Sequence, residues 1–567
     1  MEGLRSKVEM KVFHPSRLGL ACAVAYAALL LAPASARAAT ITVNSTADVA
    51  ANDGQCTLRE AIIAANTNTV SGGAAGECLA GAAGLDTIEF AIPGAGVKTI
   101  TPASPLPAIT EAVFINGYTQ GVSSPNTNAL NAGINAVLLI ELNGDAAGGL
   151  TVNADGSVIR GLNIHGLVGN QITVNASNVT IAGNFLGTNP AGTAATGGSG
   201  VGIRQSSGDN NVFGGPAAAD RNLVSGDTTG PVSIFLISGN GTLIQGNYIG
   251  TDITGTVALN VSAFPSPEGI IILSPASNTT VLGNLISGNS GGGADLNGGG
   301  AVQGNLIGTQ RDGVSALGNA NFGGIELGSG FVVGGTILGQ GNTIAFNVGG
   351  VHIVDNSVGD SILGNSIFSN GVLLGIRLHL GTPLANDPCD VDTLPGNQGQ
   401  NYPVITSAPI AAGNVTISGT LNSTASTTFR IEFFSNVIAH PSGNGEGKTF
   451  IGFANVTTDG SCNASFGPLV FAVPPGQTIF SATATDPANN TSEFAVAFPV
   501  GAPPTPTPTS TVTPTSTPTP PGPTPTSTPT VTPSSGAVAV PTLAPGLLAL
   551  FGAALAVAGL LLLRRSS

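Results

Sequence analysis

The chain has 567 residues, of which only 8% are charged, and it carries a formal net charge of −14 with 82 glycines. So acidic and sparsely charged a composition argues against nucleic acid as a partner, since that requires a basic face, and against adsorption to anionic membranes. Glycine this abundant, without a collagen period, points to many tight turns.

At the N-terminus, Arg5, Lys7, Lys11 and Arg17 precede an apolar run over residues 18–32, followed by Ala34-Ser35-Ala36 and Ala36-Arg37-Ala38. A basic head, an apolar middle and small residues at the cut mark residues 1–38 as a secretory signal. Of the five cysteines, removal of the signal leaves Cys56, Cys78, Cys389 and Cys462. An even count in an exported chain favours disulfides. Four cysteines allow three pairings; closeness in sequence favours Cys56 with Cys78, which leaves Cys389 with Cys462.

Residues 39–139 read as a cap with the first coils of a repeat domain. Ile41-Thr42-Val43 has strand character. From Thr57 the chain turns helical: Thr57 and Glu60 have the spacing of a capping box, and Leu58, Ala61, Ile62 and Ala65 make an apolar stripe at helical spacing. Cys56-Thr57-Leu58-Arg59-Glu60-Ala61, followed by Ala64-Ala65-Asn66 and Asp86-Thr87-Ile88-Glu89-Phe90, resembles the Cys-Ser-Leu-Arg-Glu-Ala N-terminal domain of bacterial surface β-helix proteins, with Thr57 in place of the usual Ser. The resemblance implies an exported right-handed parallel β-helix and leaves activity undefined. Arg59 and Glu60 read as a salt-linked cap rather than a catalytic pair.

Residues 140–400 carry an internal repeat. Asn163, Asn184, Asn222, Asn247, Asn284, Asn305, Asn342 and Asn365 are each followed within two places by an apolar residue, and six of these eight follow glycine. The intervals are 21, 38, 25, 37, 21, 37 and 23 residues. The short steps match one coil of three short strands, and the long ones match a coil plus an insertion. After Asn184, Asn247 and Asn305 the insertions open on Gly187-Thr188, Gly250-Thr251 and Gly308-Thr309, making polar loops that are candidate binding elements. Segments such as Val351-His352-Ile353-Val354 are β-prone runs bounded by Gly and Asn. One coil cannot bury its apolar face, but stacked coils bury a continuous interior. Stacked asparagines can hydrogen-bond in a ladder, and Asn also tolerates the left-handed conformation at a strand corner. These eight are therefore expected to be structural. A leucine-rich repeat shares the period but needs a spaced Leu pattern and helical spacing, neither of which is present. The fold expected is all-β: a pectate-lyase-like right-handed parallel β-helix with an N-terminal cap.

Beyond Tyr402 the period ends. Val415–Thr420, Thr428–Phe434 and Thr478–Ala484 alternate like half-buried antiparallel strands, so residues 401–501 are expected to form a small immunoglobulin-like β-sandwich. Residues 502–535 are a Thr-Pro-Ser tract, an extended spacer of roughly 3 Å per residue. Residues 540–567 hold Val540-Pro541-Thr542-Leu543, the uncharged run 546–563 and Arg564-Arg565. This tail resembles the Ile/Val-Pro-Thr-Leu C-terminal sorting signals of Gram-negative bacteria, without their usual tryptophan. The run is about the minimum length for a membrane-spanning helix, with its Arg pair on the cytoplasmic side.

For chemistry the sequence offers little. The acidic residues of the repeat region fall mostly in apparent loops, with no stacked pair evident. His165, His352 and His379 are expected to be isolated. With four Tyr and no Trp, aromatic platforms for sugars are scarce. Asp387, Asp390 and Asp392 are a candidate calcium site, because oxygen-only ligands on a loop suit that ion; no other cofactor is implied. The function expected is a non-catalytic, adhesin-like surface protein with an extracellular glycan or matrix partner. The alternative is a polysaccharide lyase or glycoside hydrolase.

Overall fold

The computed structural model describes residues 38–500 except 145–147, 199, 227–231, 262–266 and 381–382. The signal (apart from its last residue), the Pro/Thr stalk and the C-terminal tail lie outside the described residues. Among the described residues no helix is long and apolar enough to cross a membrane.

The chain winds as a right-handed parallel β-helix. From Leu150 onward each coil contributes one short strand to each of three parallel sheets, which hold 11, 10 and 9 strands. Sheet 1 runs from Thr40–Val43 to Ser361–Leu363, sheet 2 from Lys98–Ile100 to Ser366–Phe368, and sheet 3 from Leu150–Val152 to Ile376–Arg377. Every second residue of a strand points inward. Ile159, Ile181, Phe213, Ile244, Val281 and Val302 therefore stack in one buried column of sheet 1.

The corner between sheets 1 and 2 is an asparagine ladder. From Asn184 to Asn365, the backbone N–H and Nδ2 of one asparagine both donate to Oδ1 of the next, at 2.8–3.3 Å. Nδ2 also reaches a carbonyl of the preceding coil, at 2.7–2.9 Å. Buried amides are thus fully satisfied, which is the condition for tolerating them in a core.

Two expectations change here. Asn163 is not a rung: it pairs in register with Phe185, one place past the ladder, and Leu162 N–H meets Asn184 Oδ1 instead. Its Nδ2 bonds the Thr188 carbonyl at 2.8 Å. Nor do the rung asparagines adopt the left-handed conformation. The preceding glycine does so at five of the seven rungs, with φ of 66° at Gly183 and 62° at Gly304, which is why glycine is favoured there.

A second ladder, Asn260–Asn289–Asn319–Asn347–Asn370, lines the corner between sheets 2 and 3, with rung bonds of 2.8–3.2 Å. Between these ladders the insertions at Thr188, Thr251 and Thr309 each close by a bridge to Ala195, Ala258 and Ala316. They pack on one another: Ile253 N–H donates to Gly192 and Arg311 N–H to Gly255. Outside sheet 2, Phe185, Leu223, Tyr248 and Leu285 are covered by Ile134 and Leu138 of a strap. Arg221 bonds the Asn128 carbonyl of that strap at 2.8 Å.

The helix Leu58–Thr67 closes the N-terminal end, with the Thr57/Glu60 capping box in place and Leu58, Ala61, Ile62 and Ala65 buried. Cys56 is bonded to Cys78, and Cys389 to Cys462. Arg59 pairs with Asp48 at 2.9 Å, and Glu60 is buried in the cap. At the other end two antiparallel four-stranded sheets form the sandwich. It is not a separate body. It shares one compact unit with the solenoid, and its Phe434 and Phe494 complete the solenoid core.

Candidate functional site

The outer faces of the three sheets differ. Sheet 2 is partly covered by the strap. Sheet 1 presents mainly small and aliphatic side chains, such as Val158, Thr180, Val212, Leu243 and Ala301. Sheet 3 carries a mixed row, one residue per coil: Thr151, Thr173, Arg204, Phe235, Ile271, Asp295, Glu326, His352 and Arg377. Strand pairing fixes the step at about 4.8 Å. The first seven are partly exposed, whereas His352 and Arg377 are 7% and 6% exposed.

Asp295 and Glu326 lie opposite each other in register. This corrects the expectation that no acidic pair stacks on adjacent coils. Glu326 Oε2 is 2.9 Å from His352 Nδ1. Asp295 Oδ1 accepts from Asn297 Nδ2 at 3.2 Å. Arg377 follows His352 in register. Burial lowers its pKa from the usual arginine range, while the negative charges of Glu326 and Glu493 pull it back up.

The histidines of the solenoid are not isolated either. His165 Nε2 lies 2.7 Å from Glu141, and His379 Nδ1 lies 3.1 Å from Asp355. With His352–Glu326, each histidine meets a carboxylate 24 to 26 residues earlier, one coil back. That spacing was a readable signal.

The acidic connector gathers less than its sequence promised. Asp390 spends its carboxylate on Asn401 N–H at 3.0 Å, Gln400 Nε2 at 2.7 Å and the Ser423 hydroxyl. Burial pushes its pKa up to about 6. Asp387 accepts from Val391 N–H, and Asp392 lines a separate cavity of about 450 Å³ with Asp355 and His379. Among the described residues no three His, Cys, Asp or Glu side chains converge as a metal site would require. The three carboxylates therefore do not assemble the expected calcium cage. A cavity of about 690 Å³ lies where solenoid and sandwich meet, lined in part by Ile337, Leu338, Arg430, Phe450 and Phe453. Arg430 stacks on Phe453 at 3.7 Å and pairs with buried Glu432 at 2.8 Å.

No protein-family model matches the chain, and no curated protein does. Among solved structures, an alginate lyase from Paenibacillus sp. strain FPU-7 is similar over 60% of this chain and 99% of its own, at 15% identity and a TM-score of 0.31. The Dettilon tailspike protein is similar over 72% of this chain and 88% of its own, at 13% identity and a TM-score of 0.25.

Proposed function

We propose that this is an exported surface protein whose third sheet holds an extracellular glycan. The observation that carries the reading is the outward row of that sheet. Its half-exposed side chains recur at the strand step, comparable with the length of one pyranose ring. Phe235 and Ile271 offer an apolar floor for sugar C–H faces, and Thr151, Thr173, Arg204, Asp295 and Glu326 offer donors and acceptors for hydroxyls. Such mixtures of apolar surface and a few placed polar groups characterise ligand sites.

Display outside the cell is supported by the basic-apolar-small N-terminus, the two disulfides and the sorting-like tail. The Thr-Pro-Ser tract acts as a stalk. Resemblance of the N-terminal segment to surface β-helix domains adds to this reading. The three stacked insertions serve as scaffold rather than as the binding loops.

The test is binding of the purified chain to a panel of neutral and acidic oligosaccharides by calorimetry. Retention that falls about tenfold or more in Phe235→Ala is expected, in the range of one lost buried contact. Binding untouched by substitutions along the row sinks this reading.

A further inference from the structure

We propose that the chain pairs with a second copy of itself along the free edge of strand Thr449–Thr457 in the sandwich. This strand has nine residues and stands at the end of its sheet. It bonds Thr428–Asn436 on one side only. Among the described residues no backbone hydrogen bond joins its other side to the rest of the chain. A row of unpaired N–H and C=O groups is a template for another strand.

The other edges of the sandwich are guarded. Asn463–Ala472 carries Pro468 at its middle. Val404–Ser407 has four residues and lies between Pro403 and Pro409. Ile410–Ala411 and Phe498–Pro499 have two each. Proline and shortness are the usual protections of an edge. Thr449–Thr457 has neither, and it holds no charged side chain. Its one irregularity is the bulge at Ile451, which leaves Gly452–Thr457 in regular pairing with the neighbouring strand.

Charge selects a second copy as the partner, in antiparallel alignment. Lys448 precedes the strand and Asp459 follows it, both exposed, with no charge between them. Parallel self-pairing sets each charge beside its like. Antiparallel self-pairing sets Lys448 of one copy beside Asp459 of the other at both ends, which favours the pair, and it closes as a two-fold dimer. Ala454 and Val456 pack on the sandwich core, so Phe453 and Asn455 point to the other face. Residues directly opposite share a face, and a two-fold at Ala454 therefore sets Phe453 opposite Asn455 of the second copy.

Apolar surface adds to the contact. Phe450 and Phe453 are 39% and 49% exposed. They line the cavity of about 690 Å³ together with Ile337, which is 68% exposed, and Leu338, which is fully exposed. A strand added beyond Thr449–Thr457 borders this cavity and covers its apolar rim. Exposed apolar patches of this kind mark association surfaces.

The experiment is sedimentation equilibrium of the full chain in mild detergent, which masks the apolar run 546–563, at concentrations from about 1 to 200 µM. A reversible dimer is expected. Phe453→Lys places like charges near the two-fold and should weaken it about tenfold or more. Lys448→Glu, outside the strand, should weaken it about threefold, less so in high salt. Copies bearing Phe453→Cys, mixed with copies bearing Asn455→Cys and oxidised, should yield a disulfide-linked peptide pair joining positions 453 and 455. A monomer throughout the concentration range overturns the proposal. A dimer that both charge variants leave unchanged, or one that gives no cross-link between the two positions, also overturns it, because the copies then meet elsewhere.

Discussion

The two ends of the solenoid are closed by opposite chemistry, and the direction of the ladders explains why. Each rung donates its N–H and Nδ2 towards the C-terminus and accepts at Oδ1 from the N-terminal side. The N-terminal end of a ladder therefore lacks a donor. A backbone amide supplies it: Leu162 N–H to Asn184, and Gly226 N–H to Asn260. Closing that end is mainly an apolar task, done by the helix Leu58–Thr67 and the Cys56–Cys78 bond.

The C-terminal end instead leaves donors exposed, and the oxygens of a carboxyl group can accept from them. Three buried glutamates of the sandwich take that place. Glu446 Oε1 accepts both Asn370 N–H and Asn370 Nδ2, at 3.1 and 2.9 Å, as a further rung would. Glu432 accepts Gly364 N–H at 2.8 Å. Glu493 accepts Leu378 N–H and Leu384 N–H at 3.1 and 2.9 Å. The sandwich is therefore the C-terminal cap of the solenoid before it is anything else.

Replacing the terminal acceptor breaks this comparison most severely. Glu446→Ala leaves two buried donors of Asn370 unpaired and should cost about 3–5 kcal/mol, since each such orphan costs roughly 1–3 kcal/mol. Glu446→Gln keeps an acceptor oxygen and should cost far less. Denaturant unfolding of both variants checks this; equal losses would show that shape rather than the acceptor matters. At the N-terminal end, Cys56→Ser with Cys78→Ser opens a link of sequence separation 22. The expected loss is about 3 kcal/mol, with proteolysis starting near residue 50 and sparing the sandwich. Cleavage beginning in the sandwich would contradict independent closure of the two ends.

Proton linkage sharpens the contrast further. Burial pushes Glu493 up to about 7, and it raises Glu446 and Glu432 as well. Asp360, which accepts Phe331 N–H at 2.8 Å at the remaining corner, is also pushed up to about 7. Acids with raised folded-state pKa values bind more protons folded than unfolded. For Glu493 and Asp360 the contribution is therefore fully present below the ordinary values of 4.5 and 3.8 and is lost as pH rises through about 7. The C-terminal cap should be tighter at pH 5 than at pH 8, by up to about 3 kcal/mol for one such group. Glu493→Gln should flatten that dependence in thermal unfolding monitored between the two pH values. An unchanged slope would assign the effect elsewhere.

What the sequence disclosed followed the period. One ladder was legible because its asparagines each have an apolar residue within the next two places and mostly follow glycine. The second was not, because no shared neighbour marks it: Asn260 and Asn347 precede Val, Asn319 precedes Ala, Asn289 precedes Ser290 and Asn370 precedes Gly371. Its regularity lies instead in a fixed offset of five residues after the first ladder in the plain coils, as from Asn284 to Asn289 and Asn342 to Asn347, hidden by loops in the others. The pairing of Asp295 with Glu326 was masked in the same way: 31 residues separate them, a coil lengthened by the Thr309 insertion. The carboxylate cap was illegible because Glu432, Glu446 and Glu493 meet the solenoid only through tertiary folding.

Asn163 gives the finest test of how these ladders confer stability. By sequence it is a repeat asparagine like the others, yet it stands one place out of register and its Oδ1 is buried without a partner. If rungs stabilise because both hydrogens and the oxygen are satisfied, Asn163 should contribute little. Asn163→Leu, matching Leu223 and Leu285 on later coils of the same column, should change unfolding free energy by less than about 1 kcal/mol in either direction, within the range of neutral exchanges. Asn305→Leu at mid-ladder strips the acceptor from Asn284 N–H and Nδ2 and should cost several times more. Equal penalties at the two positions would mean that bulk at the corner, rather than completed hydrogen bonding, is what the asparagines provide.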